Sequence, residues 1–362
     1  MRITFPLLSL GPSGGSRVIA DLANGLKEKG HEVFIVVPKG ADKKYYPLNV
    51  TVIETGTSLE RKGLYYFRGI IVFWEMINLI PRSDIICATA GVTSVIVILA
   101  ARIFGKGNPV YFIQNSDDLF LEGKADIVLR WLIRRSYRWF DNLIFVSRKL
   151  MNFIGFRAKR SIVIHPAISE VFKAAIAKKN KKGKPPLILW VGRKYKIKGL
   201  RDMLKAFKVV LKTKKNAKLM LATPDILNVR KSKHISVKSM RPKELAKAYK
   251  QADVFVSTSL FEGFCLPPLE AMASGTPVVT TDSVGVMEYA NDGVNSLVVP
   301  RSDAERIAEA VLRLLNDHAL AGKLVRGGIK TAGEFTWSRT VGEFEKFFKK
   351  VVRANRMGAD GK

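Results

Sequence analysis

The order of hydrophobic and polar residues predicts alternating strands and helices in the first part of the chain. Short apolar runs at residues 3–8 and 31–38 are typical of buried strands. Between them, residues 16–29 repeat apolar side chains at the spacing of one helix face and end before Gly30. Parallel neighbours need a crossover connection of this kind, so the pattern predicts a parallel sheet.

The same alternation continues, and one stretch needs a choice between two readings. Further strands are predicted at 50–54, 84–88, 110–114 and 142–147, with helices between them. Residues 85–104 carry a single charge, on Arg102, and are long enough to cross a bilayer. Small and polar residues interrupt this run, so we favour a strand at 84–88 and a helix at 93–104 over a membrane span.

A lysine-rich stretch without periodicity, residues 171–186, is predicted to be a linker. After it the alternation resumes, with strands at 187–191, 218–222, 235–237, 253–257 and 276–279 and helices from 200, over 242–251 and from 267. We therefore predict an α/β fold of two doubly wound domains. The first comprises residues 1–170, rejoined by a C-terminal helix at 340–362, and the second comprises residues 187–339.

Composition narrows the class of protein. A chain of 362 residues is longer than a domain with a single hydrophobic core usually is, which suggests two domains of about 150 to 200 residues each. An apolar content of 47% excludes a mainly disordered chain. Cys87 and Cys265 provide neither a disulfide framework nor a metal quartet, which favours a reducing compartment. The first residues do not match a secretory signal, so a cytoplasmic location is expected.

The charge of the chain predicts anionic partners. A formal net charge of +30 attracts nucleic acid, anionic membranes or phosphorylated ligands, without choosing among them. Residues 124–160 carry ten Lys or Arg against two Asp, and residues 127–140 place Trp131 and Trp139 beside arginines at helical spacing. This segment is either a core-facing helix with a solvated basic side or a helix that lies on an anionic membrane. The two tryptophans favour the membrane.

Candidate chemistry concentrates between residues 251 and 300. The strand at 253–257 leads to Glu262, and Gly263, Phe264, Cys265 and Leu266 form a loop that lets a ligand approach the backbone. Two prolines then suit the first turn of a helix, in which we place Glu270. Free N–H groups at such a helix start can hold an anion. The alternative is that Glu262 caps the helix and Glu270 is an ordinary first-turn acid.

Two further strand ends are followed by candidate binding residues. Arg193 and Lys198 follow the strand at 187–191, so both are expected at the carboxyl edge of the sheet, where a diphosphate can bind. Gly14 and Gly15 occupy the corresponding place after the first strand of the chain. The G-x-G-x-x-G fingerprint is absent, and the glycine pair is also compatible with a mere tight turn.

The string E-G-F-x-L-P-x-L-E-A-M-A-x-G-x-P-V-V and the pattern G-R-x4-K-G resemble retaining glycosyltransferases of family 4, in the GT-B fold group. The resemblance implies two Rossmann-like domains facing across a cleft. It also implies transfer of a hexosyl or deoxyhexosyl group, with retention, from a nucleotide-diphosphate sugar to a glycan or lipid-linked acceptor. No metal and no cofactor besides this co-substrate is expected.

The resemblance also implies residue roles. Arg193, Lys198 and Glu262 are expected to be catalytic. The donor is expected to contact Gly14, Gly15, Met240, Gly263, Phe264, Cys265, Leu266 and Glu270. On the acceptor side stand Gln114 and Asn115, where many family members carry a histidine. These amides can hydrogen-bond hydroxyl groups but cannot take a proton near neutral pH. Asp117 and Asp118 are expected to be loop or helix-capping residues, and His165 is expected to be structural.

Two other functions stay open at this point. The same fold group contains sugar-nucleotide epimerases, which release a changed donor and need no acceptor. A nucleic-acid-binding protein would account for the charge, but no recognised binding module carries it, so no specific nucleic acid is expected. The favoured hypothesis is a cytoplasmic enzyme that is peripheral on the inner face of the membrane.

Overall fold

The computed structural model describes residues 1–42, 45–59, 65–121, 123, 127–173, 183–229 and 232–359, without the side chains of 65–67 and 357–359. The chain divides into two compact units. Unit one contains Met1–Ala167 and Trp337–Lys362, and unit two contains Ile168–Thr336. Each unit is built around one parallel sheet.

Unit one is a seven-stranded sheet with helices between its strands. The strands are β1 (Arg2–Pro6), β2 (Glu32–Lys39), β3 (Thr51–Ser58), β4 (Ile85–Ala88), β5 (Asn108–Ile113), β6 (Asn142–Phe145) and β7 (Arg160–Val163). The helices are α1 (Gly14–Glu28), α2 (Tyr65–Leu79), α3 (Gly91–Arg102), α4 (Ile127–Ser136), α5 (Arg148–Ile154) and, after unit two, α11 (Trp337–Ala359). All strand pairs are parallel, in the order β3-β2-β1-β4-β5-β6-β7.

Helix α11 completes the core of unit one. Its Phe344 is fully buried and packs edge-on against Phe112 of β5 at a ring distance of 4.9 Å. Val341 lies against Gly25 of α1, where a methyl group would approach the valine side chain to 2.6 Å. The glycine therefore permits the close packing of α1 and α11, which joins the C-terminal helix to the first half of the chain.

Unit two is a six-stranded sheet. Its strands are β8 (Leu187–Val191), β9 (Lys218–Ala222), β10 (Ile235–Lys238), β11 (Val254–Ser257), β12 (Val278–Thr281) and β13 (Leu297–Val299). Its helices are α6 (Leu200–Thr213), α7 (Pro242–Gln251), α8 (Leu266–Ala273), α9 (Ala304–Asn316) and α10 (His318–Gly333). The order is β10-β9-β8-β11-β12-β13, again with parallel pairs, and Trp190 and Phe207 lie in the core under α6 and α9.

In both sheets the order of strands reverses beside the first strand. The chain builds outward from β1 to β3 on one side and from β4 to β7 on the other, and likewise around β8 in unit two. Loops leaving neighbouring strands at such a point diverge, which opens a crevice at the carboxyl ends. The pairs β1–β4 and β8–β11 therefore mark where ligands are expected.

The predicted elements agree with this architecture, and the largely apolar run at 85–104 forms β4 and α3. No helix within the described part of the chain is long and apolar enough to cross a membrane. Of the predicted linker, residues 174–182 lie outside the described residues. Phe172 is fully buried and packs against Tyr249 at 5.8 Å, so the beginning of that stretch belongs to the core of unit two.

Candidate functional site

The carboxyl ends of β8 and β11 bring two predicted residues into contact. Lys198 follows β8 and Glu262 follows β11, and the Lys198 Nζ donates to Glu262 Oε1 at 2.6 Å. Ser259 Oγ donates to the same oxygen at 2.6 Å. The side chains are only 19% and 9% exposed. An ion pair this shielded from water is uncommon, because removing two charges from water is costly unless they are paired and hydrogen-bonded.

The ammonium of Lys198 is held in its charged form. Burial alone would lower its pKa, but the charge of Glu262 and the hydrogen bond to Glu262 outweigh burial and raise the pKa. Lys198 therefore serves as a fixed positive charge at this edge of the sheet and not as a proton acceptor.

The loop before α6 is locked to the loop after β11 through Gly199. This residue has a left-handed backbone (φ 66°), and a methyl group on it would lie 1.9 Å from the Thr258 carbonyl oxygen. The Thr258 hydroxyl donates to the Gly199 carbonyl at 2.9 Å and accepts from the Trp190 indole at 3.0 Å. Only glycine fits here, which explains why Gly199 must follow Lys198.

A strained loop precedes α8. Cys265 is buried and has a left-handed backbone with φ 68°, which is unusual for a residue with a side chain. Two contacts hold it: the Tyr289 hydroxyl donates to the Cys265 carbonyl, and Gly285 approaches Gly263 so closely that a methyl group would lie 2.2 Å from its carbonyl. Within the described residues, the N–H groups of Cys265 and Leu266 donate to no acceptor. Two donors at a helix start therefore remain available to a ligand.

The Cys265 thiol does not act as a nucleophile here. Its burial and the neighbouring Glu262 charge raise its pKa well above the usual range, against the smaller opposing effect of Lys198. The thiol stays protonated at neutral pH, and reactive cysteines require the thiolate. Cys265 contributes its backbone conformation and its fit beside Ser257, whose Oγ lies 3.8 Å from the sulfur.

The structure corrects the position of Glu270. Helix α8 begins at Leu266, because the turn at Cys265 starts the helix one residue before the two prolines, and Glu270 lies in the second turn. Its carboxylate is buried and accepts from the Tyr249 hydroxyl at 3.1 Å. The first-turn reading of Glu270 is therefore wrong. The capping reading of Glu262 is wrong as well, because α8 has no side-chain cap and Glu262 pairs with Lys198.

Arg193 has a partner that the sequence patterns did not indicate. Its Nε lies 3.0 Å from both carboxylate oxygens of Asp225, and the Lys194 N–H donates to the same side chain at 2.6 Å. Burial works to raise the pKa of Asp225, but these hydrogen bonds and the two positive charges lower it. Asp225 follows β9, and an acid just after a strand on the shared carboxyl edge is the signal that could have found it.

Met240 lies half-buried between β10 and α7, on the carboxyl side of the same sheet. Together with Arg193, Lys198 and Glu262 it follows a strand end, as the sequence predicted. Lys198 and Glu262 contact each other directly, whereas Arg193 pairs with Asp225 and the Glu270 carboxylate accepts from the Tyr249 hydroxyl.

A second candidate edge lies in unit one. Gly14 is the first residue of α1, and Gly15 faces Gln114, whose Oε1 would lie 3.3 Å from a methyl group at Gly15. Gln114 donates to the Thr89 carbonyl at 3.5 Å, and Asn115 Oδ1 accepts from the Ser116 N–H at 3.0 Å. The predicted donor residue Gly15 and the predicted acceptor residue Gln114 are thus neighbours beside the β1–β4 switch point.

The neighbouring acids are structural. Asp117 accepts from the Gly91 N–H at 2.6 Å, at the start of α3, and Asp118 accepts from Ser116 and Arg134. Asp117 thus lies at a helix start, in agreement with the capping interpretation, whereas Asp118 is held in an ion pair with Arg134. Burial raises the pKa of Asp117 to about 6. His165 makes a hydrogen bond to the Val146 carbonyl through Nδ1 at 3.0 Å, in keeping with a structural role.

Comparison with known families accounts for both units. The profile of glycosyltransferase family 4 matches residues 12–170, and that of glycosyl transferases group 1 matches residues 171–331. The chain belongs to the family 4 glycosyltransferases. The family resemblance expected from the sequence is confirmed, and so is the two-domain α/β GT-B fold.

Named relatives of this glycosyltransferase cover it to different extents. It is 33% identical over 175 residues to the uncharacterized glycosyltransferase MJ1607 of Methanocaldococcus jannaschii, a match of 45% of this chain but only 44% of that protein. It is 23% identical to the N,N'-diacetylbacillosaminyl-diphospho-undecaprenol alpha-1,3-N-acetylgalactosaminyltransferase of Campylobacter jejuni, over 92% of this chain and 94% of the relative. The structure of Anabaena Alr3699/HepE in complex with UDP-glucose superimposes with a TM-score of 0.76 at 16% identity, covering 97% and 100% of the two chains.

Proposed function

We propose that this glycosyltransferase moves a hexosyl or deoxyhexosyl group, with retention of anomeric configuration, from a nucleotide-diphosphate sugar to a hydroxyl of a glycan or lipid-linked acceptor, without a metal ion. The observation that carries the proposal is the shielded Lys198–Glu262 pair at the carboxyl ends of β8 and β11, beside the Cys265 and Leu266 N–H groups. A fixed cation and unpaired amide donors suit a ligand that offers both phosphate and hydroxyl oxygens.

Arg193 and Lys198 supply the catalytic charge. Cleavage of the sugar–phosphate bond leaves additional negative charge on the nucleoside diphosphate, and cations already in place stabilise that charge without reorganising. Only the part of the attraction that grows in the transition state accelerates the reaction. Arg193 is oriented by Asp225 and lies over the Tyr195 ring at 5.9 Å, so its guanidinium is held before substrate binds.

The donor sugar and nucleoside are assigned to the remaining predicted residues. Glu262 and the backbone of Gly263, Phe264, Cys265 and Leu266 bind sugar hydroxyls, and Glu270 binds the ribose hydroxyls. Met240 and its neighbours contact the base through backbone groups, and Gly14 and Gly15 contact phosphate. The left-handed turn at Cys265 supports this assignment, since the N–H groups of Cys265 and Leu266 donate to no acceptor among the described residues.

A lipid-linked acceptor is supported by the outer surface of unit one. Helix α4 exposes Ile127, Val128 and Trp131, the last 57% exposed with Arg135 over its ring at 5.5 Å. Helix α3 packs against both α4 and α2. On the other two helices, Ile103 and Phe104 (after α3) and Ile70 and Trp74 (α2) are also exposed.

Apolar and aromatic side chains beside arginines are the composition of a surface that enters an anionic bilayer interface. We therefore propose that the enzyme is peripheral on the inner, cytoplasmic face of the membrane. The name of the Campylobacter relative specifies a diphospho-undecaprenol-linked substrate, which supports an acceptor of this kind here. Gln114 and Asn115 are proposed to hydrogen-bond acceptor hydroxyls.

The proposal is tested first by donor binding. Thermal shift against a panel of nucleotide sugars, with and without EDTA, identifies the donor, and hydrolysis and transfer are then measured with that donor. We expect Lys198→Ala to abolish transfer, and Lys205→Ala, which removes an exposed lysine from α6, to leave it unchanged. We also expect Glu270→Ala to weaken donor binding and Arg193→Ala chiefly to lower turnover. Unchanged kinetics in both would discard these two roles.

The same measurements separate the two other functions. An epimerase releases a changed nucleotide sugar without acceptor, which product analysis by NMR detects directly. A nucleic-acid-binding protein shows no shift with any nucleotide sugar and strong, salt-dependent binding to duplex DNA. Retention itself is read from the anomeric coupling constant of the transferred sugar.

A further inference from the structure

The outer edge of unit one contains a large basic groove between strand β7 and helix α11. The groove has a volume of about 1020 Å³ and is lined by eight Lys or Arg residues against two Glu. It borders β7, the edge strand of the sheet, and strands β5 and β6 lie between β7 and the β1–β4 switch point. We refer to it as the β7 groove.

The cations of the β7 groove are largely unpaired. Arg339 is paired with Glu343 and Lys349 with Glu345, so both acids of the groove are already engaged. The α11 residues Lys346, Lys350 and Arg353, by contrast, have no ion pair within the described part of the chain. Arg148 and Lys159, on the sheet side, have none among the described residues either. Five uncompensated cations around one cavity produce a strong attraction for anions.

The groove runs along the free edge of β7. Five consecutive residues, 159–163, line it, although successive side chains of a strand point to opposite faces of the sheet. All five can border one cavity only if the cavity lies beside the strand and not above one face. The backbone of β7 is therefore a wall of the groove.

The alternation of hydrogen bonds along β7 shows which of its backbone groups face this cavity. The Arg160 N–H donates to the Asp141 carbonyl at 2.8 Å and the Ile164 N–H to the Phe145 carbonyl at 2.9 Å, so the even-numbered residues pair with β6. In a parallel ladder the intervening residues point the other way. Among the described residues, the backbone N–H and C=O groups of Ser161 and Val163 accordingly form no hydrogen bond.

We propose that the β7 groove binds an extended acidic segment of another protein, which adds to the sheet as an eighth strand beside β7. The alternating N–H and C=O groups of Ser161 and Val163 match a polypeptide backbone, whereas a phosphate chain offers acceptors only and would meet the carbonyls unfavourably. Acidic side chains at alternate positions of that segment then face the cations of α11.

The dimensions and charges select the occupant. From Arg339 to Arg353 the helix rises about 21 Å, which a strand covers with about six or seven residues. A second copy of this chain is disfavoured, because its net charge is +30 and its sequence contains no acidic run. Charged residues beside an edge strand often serve only to prevent another strand from pairing with it. The cations beside β7 disfavour pairing with a basic strand, whereas they attract an acidic strand.

The test uses a labelled eight-residue peptide of alternating Glu and Val, with blocked ends, and the same peptide with every backbone amide N-methylated. Binding to the full chain is followed by fluorescence anisotropy at low salt. The two peptides carry equal charge, so a site that recognises the strand backbone binds the methylated form at least tenfold more weakly. Equal binding of the two peptides, or no binding of either, would overturn the proposal.

Variants locate the site. Lys346→Glu/Lys350→Glu/Arg353→Glu should weaken binding of the acidic peptide at least tenfold. Lys205→Glu/Lys208→Glu/Lys212→Glu, the same change of charge on exposed lysines of α6, should alter it less than threefold. Val163→Pro removes one outward N–H without touching the ladder to β6 and should also weaken binding. An equal effect of the two triple variants would show that net charge alone attracts the peptide.

A measurement on the unmodified chain guards against misfolded variants. Amide exchange at Ser161 and Val163 should slow at least tenfold when the acidic peptide binds, while Arg160 and Ile162, whose amides are already bonded to β6, should change little. Inorganic polyphosphate, a single-stranded oligonucleotide and anionic vesicles serve as competitors. If one of them displaces the peptide and protects the same residues more strongly, the groove is a phosphate site and the proposal fails.

Discussion

Lys198 Nζ and Glu262 Oε1 lie 2.6 Å apart although 64 residues separate them in the chain. The contact exists because β8 and β11 are neighbours in the sheet and both loops leave its carboxyl edge. Ser259 completes the arrangement by donating to the same carboxylate oxygen. One ion pair thus joins the loops that follow β8 and β11 and places a fixed charge in the candidate site.

We expect each half of this pair to depend on the other. Lys198→Met or Glu262→Gln alone should destabilise unit two by about 3–5 kcal/mol, because each leaves a shielded charge without its partner. The double variant should be more stable than the sum of the two changes implies, and all three should lose sugar transfer. Urea denaturation of the four proteins measures the coupling. Strict additivity would contradict the view that the pair is energetically isolated from water.

The close approach of Gly285 to Gly263 leads to a second prediction. Gly285→Ala puts a methyl group 2.2 Å from the Gly263 carbonyl, and the backbone there cannot move without displacing the turn at Cys265. We expect loss of donor binding and a clearly lowered Tm. Gly333→Ala is the matched control, since nothing lies within 4 Å of that position.

If donor binding survives Gly285→Ala with an unchanged affinity, the loop from Gly263 to Leu266 does not hold the sugar. Calorimetric titration with the donor found in the thermal-shift panel gives that affinity directly. The Gly333→Ala protein should be unchanged in both affinity and Tm, or slightly more stable, because alanine has the higher helix propensity.

Sequence reasoning reached the elements and the positions after strand ends because both follow from local patterns. Strands alternate with amphipathic helices, and a parallel sheet then places Arg193, Lys198 and Glu262 on one edge. The sequence patterns do not show which of these side chains pair with one another. Whether Lys198 contacts Glu262 or a phosphate, and whether Arg193 contacts Asp225, depends on strand order and register, which no local pattern encodes.

Glu270 shows the same limit at a smaller scale. Two prolines normally mark the first turn of a helix, and that rule places the carboxylate near the helix start. A left-handed backbone at Cys265, a residue without any special preference for it, moves the start of α8 to Leu266. The strain is sustained by Tyr289 and Gly285, which lie about twenty residues further along the chain. Tertiary contacts decide the helix boundary here.

The exposed face of α4 gives a prediction about membrane binding. Trp131→Ser with Ile127→Ser removes two apolar side chains that are 57% and 70% exposed, so the fold should be unaffected. We expect sedimentation with anionic liposomes to fall several-fold, and transfer to a soluble acceptor analogue to stay unchanged. Phe153→Ser, an exposed aromatic residue on α5, is the control. Undiminished sedimentation of the double variant would place the membrane contact elsewhere or remove it.

Asp117 predicts a dependence of stability on pH. Its carboxyl ionises near 3.8 in an unfolded chain, but burial raises the pKa in the folded state to about 6. Between these values the unfolded chain has lost the proton that the folded state keeps, so stability falls as pH rises from about 4 to 6 and is constant above. The loss is at most about 3 kcal/mol, since one pKa unit corresponds to about 1.4 kcal/mol.

Asp117→Asn removes this titration while keeping an oxygen that can accept from the Gly91 N–H. As the pH rises from 4 to 6, the unfolding free energy of the unmodified protein should therefore fall relative to that of the variant. Urea denaturation at several pH values measures it. Asp141→Asn, the same change of side chain at an exposed position, controls for the loss of one carboxylate. If the Asp117→Asn difference does not vary with pH in this window, the Asp117 carboxyl is not held protonated by burial.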